Sequence, residues 1–216
     1  LLLLGGVPLA AGLQGVAGPG LIAFGDGEIL AQLAAAAPRT IWIDAVALVG
    51  PMVALPSGAG WHLLAGNQRP LAAFGTLLWY IGISFIIAQD AIQLAVVTTL
   101  PSAYVEATEM AKPAIEAFGA TLAYVIEVLA SVGIASNFGF LLVCIALLRA
   151  GGVPSWIPWL GIAVSALDLV SRAAQLAFPQ AVWPTVAFVV GLLTFIMIVG
   201  PALGVVMWRR SSARTV

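Results

Sequence analysis

The sequence predicts an all-α fold, a polytopic transmembrane helical bundle of six spans. Three observations carry that prediction. Hydrophobic residues make up 62% of the 216 residues and charged ones only 8%. A soluble domain usually carries about 25% charged residues, so this chain cannot make a polar coat, and lipid must solvate most of its surface. Apolar stretches long enough to cross a bilayer recur along the whole chain, divided by Pro, Gly and scattered charges. Seven Trp and thirteen Pro fit the same class, because membrane helices place Trp at interfaces and tolerate Pro.

The spans follow in order, within a single transmembrane domain over 1–216. The first covers about 1–24 and is rich in Gly. The chain opens on Leu rather than Met, so further sequence is expected before it. The stretch lacks the charged start and cleavage site of a signal peptide. A polar break, "GDGEILAQLAAAAPR", then predicts a short interfacial helix capped at Asp26. The second span, about 40–64, is kinked or broken by Pro51 and Pro56, with Gly58 and Gly60 beside them. The third, about 71–100, stops at Pro101. The fourth, about 114–149, is roughly 54 Å long at 1.5 Å per residue. It either projects beyond the membrane or bends at "SVGIASNFG". The fifth and sixth cover about 155–178 and 182–208.

Charge asymmetry orients the bundle. Arg69, Arg149, Arg209, Arg210 and Arg214 fall on one side, and only Arg39 and Lys112 on the other. The positive-inside rule then predicts a cell (inner) membrane protein with both termini cytoplasmic.

Five ionisable residues lie within the spans: Asp44, Asp90, Glu127, Asp168 and Arg172. Asp44 is near an outer span end and is expected to reach the headgroups as an interfacial anchor. The other four are deeper. Each charge near a helix centre costs about 3 kcal/mol, so all four are expected to face inward and toward one another. Helical spacing supports this. Ser165, Asp168, Arg172 and Gln175 form one stripe, Gln89, Asp90 and Gln93 share a face, and so do Tyr124, Glu127 and Ser131. The expected polar centre is therefore Asp90, Glu127, Asp168, Arg172, Gln89, Gln93 and Tyr124. It carries three acids against one base, which calls for bound protons, a cation or a cationic ligand. Intramembrane charges also serve only to lock helices together, and both readings stay open at this point.

Other patterns exclude chemistry. "PSGAGWH" holds Ser57 and the only His, His62, and reads as an interfacial turn. One Cys, Cys144, and one His exclude an internal disulfide, a Cys/His zinc site and a bis-His haem. No nucleophile–base pair and no catalytic residue are visible, so the chain is read as non-enzymatic, with no cofactor and no metal. A net charge of −1 gives no footprint for nucleic acid. "GPALG", residues 200–204, is a GxxxG that predicts close helix packing within the chain, with a dimer seam as the alternative. Trp61, Trp156, Trp159, Trp183 and Trp208 are read as interfacial anchors.

At "LLRAGGVPSWIPWLGI", residues 147–162, the chain resembles a bacterial family of uncharacterised six-span membrane proteins, a domain of unknown function. Arg149, Pro154, Trp156, Leu160 and Gly161 carry the resemblance. Ser155 departs from the basic residue that follows the Pro in that family. The resemblance implies six spans with both ends in the cytoplasm and brings no activity. Two functions follow as expectations. One is an accessory or assembly protein in the lipid bilayer, packing against other membrane subunits or in a homo-oligomer. The other is a small transporter or ligand-binding protein that uses Asp90, Glu127, Asp168 and Arg172.

Overall fold

The structure, a computed structural model, describes residues 24–177 and 183–212. The first expected span, residues 1–24, lies outside them except for Phe24, and so does Arg214. Among the described residues the secondary structure is entirely helical.

Helix α1 is Gly27–Ala35, and its Asp26 cap accepts a hydrogen bond from the Glu28 N–H at 2.9 Å. The capped short helix thus stands where the polar break predicts it. Helix α2 is Ala37–Ala54 and α3 is Ser57–Leu64. The break between them falls at Leu55–Pro56, because a proline has no N–H to continue the ladder. There the Ser57 hydroxyl donates to the Ala54 carbonyl at 2.6 Å.

Helix α4, Arg69–Glu106, has 38 residues and is about 57 Å long. It does not stop at Pro101. Pro101 is buried with Leu100, and this packing carries the helix past the lost hydrogen bond for another turn. Helix α5 is Lys112–Gly133 and α6 is Ala135–Ala150. They are separated only by Ile134, whose backbone is still right-handed helical.

A fixed register shows that α5 and α6 together run back along α4. Tyr104 meets Glu116, Leu100 meets Gly119, Ile86 meets Gly133, Gly82 meets Ser136 and Trp79 meets Gly139. The partners change in step down both strands of this hairpin, so the long fourth segment overshoots rather than folding on itself.

Helix α7 is Trp156–Ala177, entered through Gly151, which adopts the left-handed conformation (φ 66°) that ends α6. Helix α8, Trp183–Thr194, passes through a π turn at Phe195–Val199 into α9, Gly200–Ser212.

Four helical stretches are long and apolar enough to cross a bilayer: Gly66–Glu106, Lys112–Ala150, Trp156–Ala174 and Val186–Arg210. These correspond to the third to sixth expected spans. The second is divided into α2 and α3, neither of which qualifies alone. Six spans are therefore not what the described residues display.

The helices share two ends. Arg69, Arg149, Arg209 and Arg210 gather at one, the basic end, where the Arg210 guanidinium donates to the Gly152 carbonyl. Tyr104, Glu116 and Lys112 mark the other, the hairpin tip.

Two apolar cores stack between them. The core nearer the basic end holds Trp61, Trp79, Phe140, Val143, Leu147 and Ile157. Its rings interlock, with Trp61 and Trp79 centroids 5.1 Å apart and Phe140 and Phe195 4.7 Å apart. Trp61, expected as an anchor, is buried here because the break at Pro56 swings α3 inward over α4. Trp156, Trp159, Trp183 and Trp208 are exposed at helix ends, as interfacial anchors are. The core nearer the tip holds Phe24, Leu30, Val96, Val97, Leu100, Ala123 and Ile126.

Close backbone approach occurs between α4 and α6. At Gly75, Gly82 and Gly139 a Cβ would collide with the facing backbone. In "GPALG", Gly200 faces only the Phe195 carbonyl of its own helix. The close glycine contacts from one helix backbone to another that the described residues display are those between α4 and α6.

Candidate functional site

Between the two cores lies a polar level on α4. Asp90 and Gln93 are buried on one face of it, a turn apart. Helix α2 packs on that face, and it brings Asp44. The Gln93 side-chain amide donates to Asp44 Oδ1 at 2.9 Å, a buried contact. Asp44 Oδ2 is also buried and has no hydrogen-bond partner among the described residues. Asp44 is thus no headgroup anchor. It is 3% exposed and forms the α2 side of a buried carboxyl–amide contact with Gln93.

A second polar contact lies between α7 and α8. Asp168 is buried, and among the described residues its Oδ1 has no hydrogen-bond partner. Gly191 on α8 leaves the space its carboxyl fills, since a Cβ there would collide with Oδ1. Arg172, one turn on, interacts electrostatically with Asp168. Its guanidinium stacks 4.2 Å from the Phe188 ring centroid. Ser165 and Ser171 are buried on the same helix, and the Ser171 hydroxyl donates to the Leu167 carbonyl at 2.7 Å.

The seven expected site residues do not converge. Asp90 and Gln93 face α2, with Gln89 half-buried beside them. Asp168 and Arg172 face α8, and α6 packs between α4 and α7. Glu127 and Tyr124 point outward from α5, Tyr124 with 69% of its surface exposed. The reason is geometric. The register fixes α5 to α4 through Gly119, Ala123, Ile126 and Gly133, so the stripe carrying Tyr124 and Glu127 lies on the far side.

Asp44 was legible as an ionisable residue in an apolar run, but its partner was not, because the break at Pro56 sets the angle of α2. Nothing in the sequence marks Phe188 or Gly191, since both are ordinary residues of an apolar helix.

Chemically, the α2–α4 contact is one carboxyl–amide hydrogen bond, with Asp90 buried a turn from Gln93 on α4. Among the described residues no group of three His, Cys, Asp or Glu side chains is placed to hold a metal ion. Length, composition and fold put the chain in the class of helical membrane proteins. No protein-family model, curated protein or solved structure matches it.

Proposed function

We propose that this chain is a non-enzymatic, multi-pass membrane protein of accessory or assembly type. One observation carries the reading: the α4–α5 hairpin is longer than the rest of the bundle and is apolar where it overshoots. Gly161 of α7 packs on Cys144 and Phe140, near the basic end. From there the rise to Ala177, about 24 Å, brings α7 only as far as the level of about Ile92 on α4. Beyond Gln93 the hairpin extends roughly 20 Å further, and among the described residues neither α7 nor α8 runs beside it. Helix α1 covers one flank of this overhang. The other flank exposes Val105, Phe118, Tyr124 and Val125, an apolar face that calls for a membrane partner subunit or a second copy.

On this reading the basic end is cytoplasmic, by the excess of arginine there, and the hairpin tip stands on the opposite side of the inner membrane. Helices α2 and α3 jointly make one crossing, and the count of six rests on that composite crossing together with residues outside the described ones. The buried polar contacts serve as locks between helices.

A small proton or cation carrier, or a ligand-binding protein, is the second reading. The unpartnered Asp44 Oδ2 and Asp168 Oδ1 favour it. The separation of Asp90, Glu127 and Asp168 onto different faces speaks against one shared transport site.

The test is gentle extraction from native membranes followed by mass measurement of the intact complex. The expected result is a stoichiometric second chain, identical or different, that is lost in Phe118→Glu and kept in Asp90→Asn. A monomer in both, with substrate flux that Asp90→Asn abolishes, would overturn the proposal.

A further inference from the structure

We propose that the basic end of the bundle binds the headgroup of one anionic phospholipid, held by Arg149 and Arg210 at the α6–α7 turn. Three segments meet at this end. The Arg210 guanidinium of α9 donates to the Gly152 carbonyl, and a Cβ at Gly152 would collide with both of its Nη atoms. That contact pins Arg210 to the turn that begins just after Arg149. On the other side Gly66, in the turn that leads into α4, lies against Ala150, whose Cβ would be 3.9 Å from a Cβ at Gly66. This brings Arg69 up beside Arg149. Met207 of α9 packs on Gly60 of α3, so α9 is fixed from two sides. Arg69, Arg149 and Arg210 are all exposed.

No carboxyl answers these guanidiniums. Residues 65–69, 149–156 and 207–212 contain no Asp or Glu. The first acid along α7, Asp168, is about 18 Å from Trp156. Helices α4 and α7 both begin at this end without an acidic residue in the first turn, so their positive dipole ends add to the field. A guanidinium matches a phosphate with paired N–H donors, and clustered bases at a bilayer surface recruit acidic lipids. The turn also has room. Among the described residues a Cβ at Gly151 would meet nothing within 4 Å. Trp156 and Trp159, one turn apart on the same face of α7, are 53% and 59% exposed. Indoles of this kind settle at the headgroup level, which sets the turn at the depth of lipid phosphates and gives the glycerol and acyl region an apolar edge to lie on. That edge favours a lipid over a soluble anion. The site is independent of which side of the membrane the basic end faces and of what covers the hairpin.

The test is native mass spectrometry of the full chain in detergent micelles, titrated with phosphatidylglycerol and, separately, with phosphatidylcholine. The expected result is one phosphatidylglycerol retained per chain at saturation, with phosphatidylcholine bound about tenfold more weakly or less. Arg149→Gln and Arg210→Gln should each weaken phosphatidylglycerol binding about fivefold, and both together by more than about tenfold. Lys112→Gln, at the hairpin tip, should leave it unchanged. Arg149→Gln keeps the Arg210–Gly152 contact, so it reports even if Arg210→Gln fails to fold. Phosphatidylglycerol that binds without saturating is drawn by diffuse charge alone and overturns the site. So does equal retention of the two lipids, or unchanged binding in Arg149→Gln. Displacement of the lipid by millimolar inorganic phosphate would make this a soluble-anion site and overturn the assignment to lipid.

Discussion

Gly82 on α4 lies so close to the backbone of Ser136 on α6 that no Cβ fits between them. The same helices touch again at Gly75 and Gly139, a turn or two away on each side. With lipid outside and no water to squeeze out, close van der Waals contact is what holds such helices together. Gly82→Val should therefore destabilise the bundle by about 1–3 kcal/mol or more, since backbone cannot move aside as a side chain does. Gly200→Ala should change stability by less than about 0.5 kcal/mol, because among the described residues a Cβ there meets only the Phe195 carbonyl, at 3.3 Å. Equilibrium unfolding in mixed micelles compares the two. Equal losses would mean that the α4–α6 seam does not hold the fold.

The α2–α4 joint gives a coupled pair. Gln93→Leu removes the one hydrogen-bond donor to Asp44 among the described residues and should cost about 1–3 kcal/mol, the penalty for an unsatisfied buried group. Asp44→Leu should cost less than that. The double variant replaces both partners with apolar groups and should be less destabilised than the sum of the singles. A double-mutant cycle measured by unfolding checks this, and strict additivity would show that the contact contributes nothing.

How much of this was legible in the sequence depends on the kind of feature. The helical class, the α1 cap at Asp26 and the break at Pro56 follow from local chemistry: a capping carboxylate, a missing N–H, a run of apolar residues. The third to sixth membrane stretches follow from hydropathy. Convergence of the charges was not legible. Which way Tyr124 and Glu127 point depends on how α5 rotates about its axis, and Gly119, Ala123, Ile126 and Gly133 fix that rotation by small-residue packing, which carries little hydropathy contrast. The place of Asp44 depends on the angle at which α2 leaves a proline break, and sequence spacing gives no angle. Trp61 shows the same limit: its position near a span end suggested an anchor, and the turn of α3 made it core.

The α7–α8 contact should show a size conflict that can be relieved. Gly191→Ala places a methyl where the Asp168 carboxyl sits and should destabilise the protein, although Ala is about 1 kcal/mol better than Gly within a helix. In an Asp168→Ala background the space is vacant, and the same Gly191→Ala change should become neutral or stabilising. Phe188→Leu should separately cost about 0.5–2 kcal/mol through loss of the stacked Arg172 guanidinium. Thermal unfolding of the four-variant square decides it. A Gly191→Ala effect that is the same in both backgrounds would place the conflict elsewhere.

The overhang of the hairpin predicts a profile of solvent contact. Ile81 is exposed on α4 about 18 Å above Arg69, close to the centre of a hydrocarbon core about 30 Å thick. Phe118 lies level with Leu100 and Pro101, since Gly119 packs on Leu100, and this is about 48 Å above Arg69. Met110, at the tip, is 94% exposed. The single native cysteine, Cys144, is fully buried, so introduced cysteines can be labelled selectively without replacing it. Spin labels at Ile81→Cys, Phe118→Cys and Met110→Cys in nanodiscs of the isolated chain should respond differently to relaxation agents. Dissolved oxygen, which concentrates in lipid, should broaden the label at 81. A water-soluble nickel chelate should reach the label at 110 and also the one at 118. If the label at 118 behaves like the one at 81, the hairpin tilts into the bilayer and its apolar flank is covered by acyl chains, so no protein partner is required there. If it behaves like the one at 110, the flank meets water in the isolated chain, and a covering subunit should then shield it from the chelate without changing the response at 81.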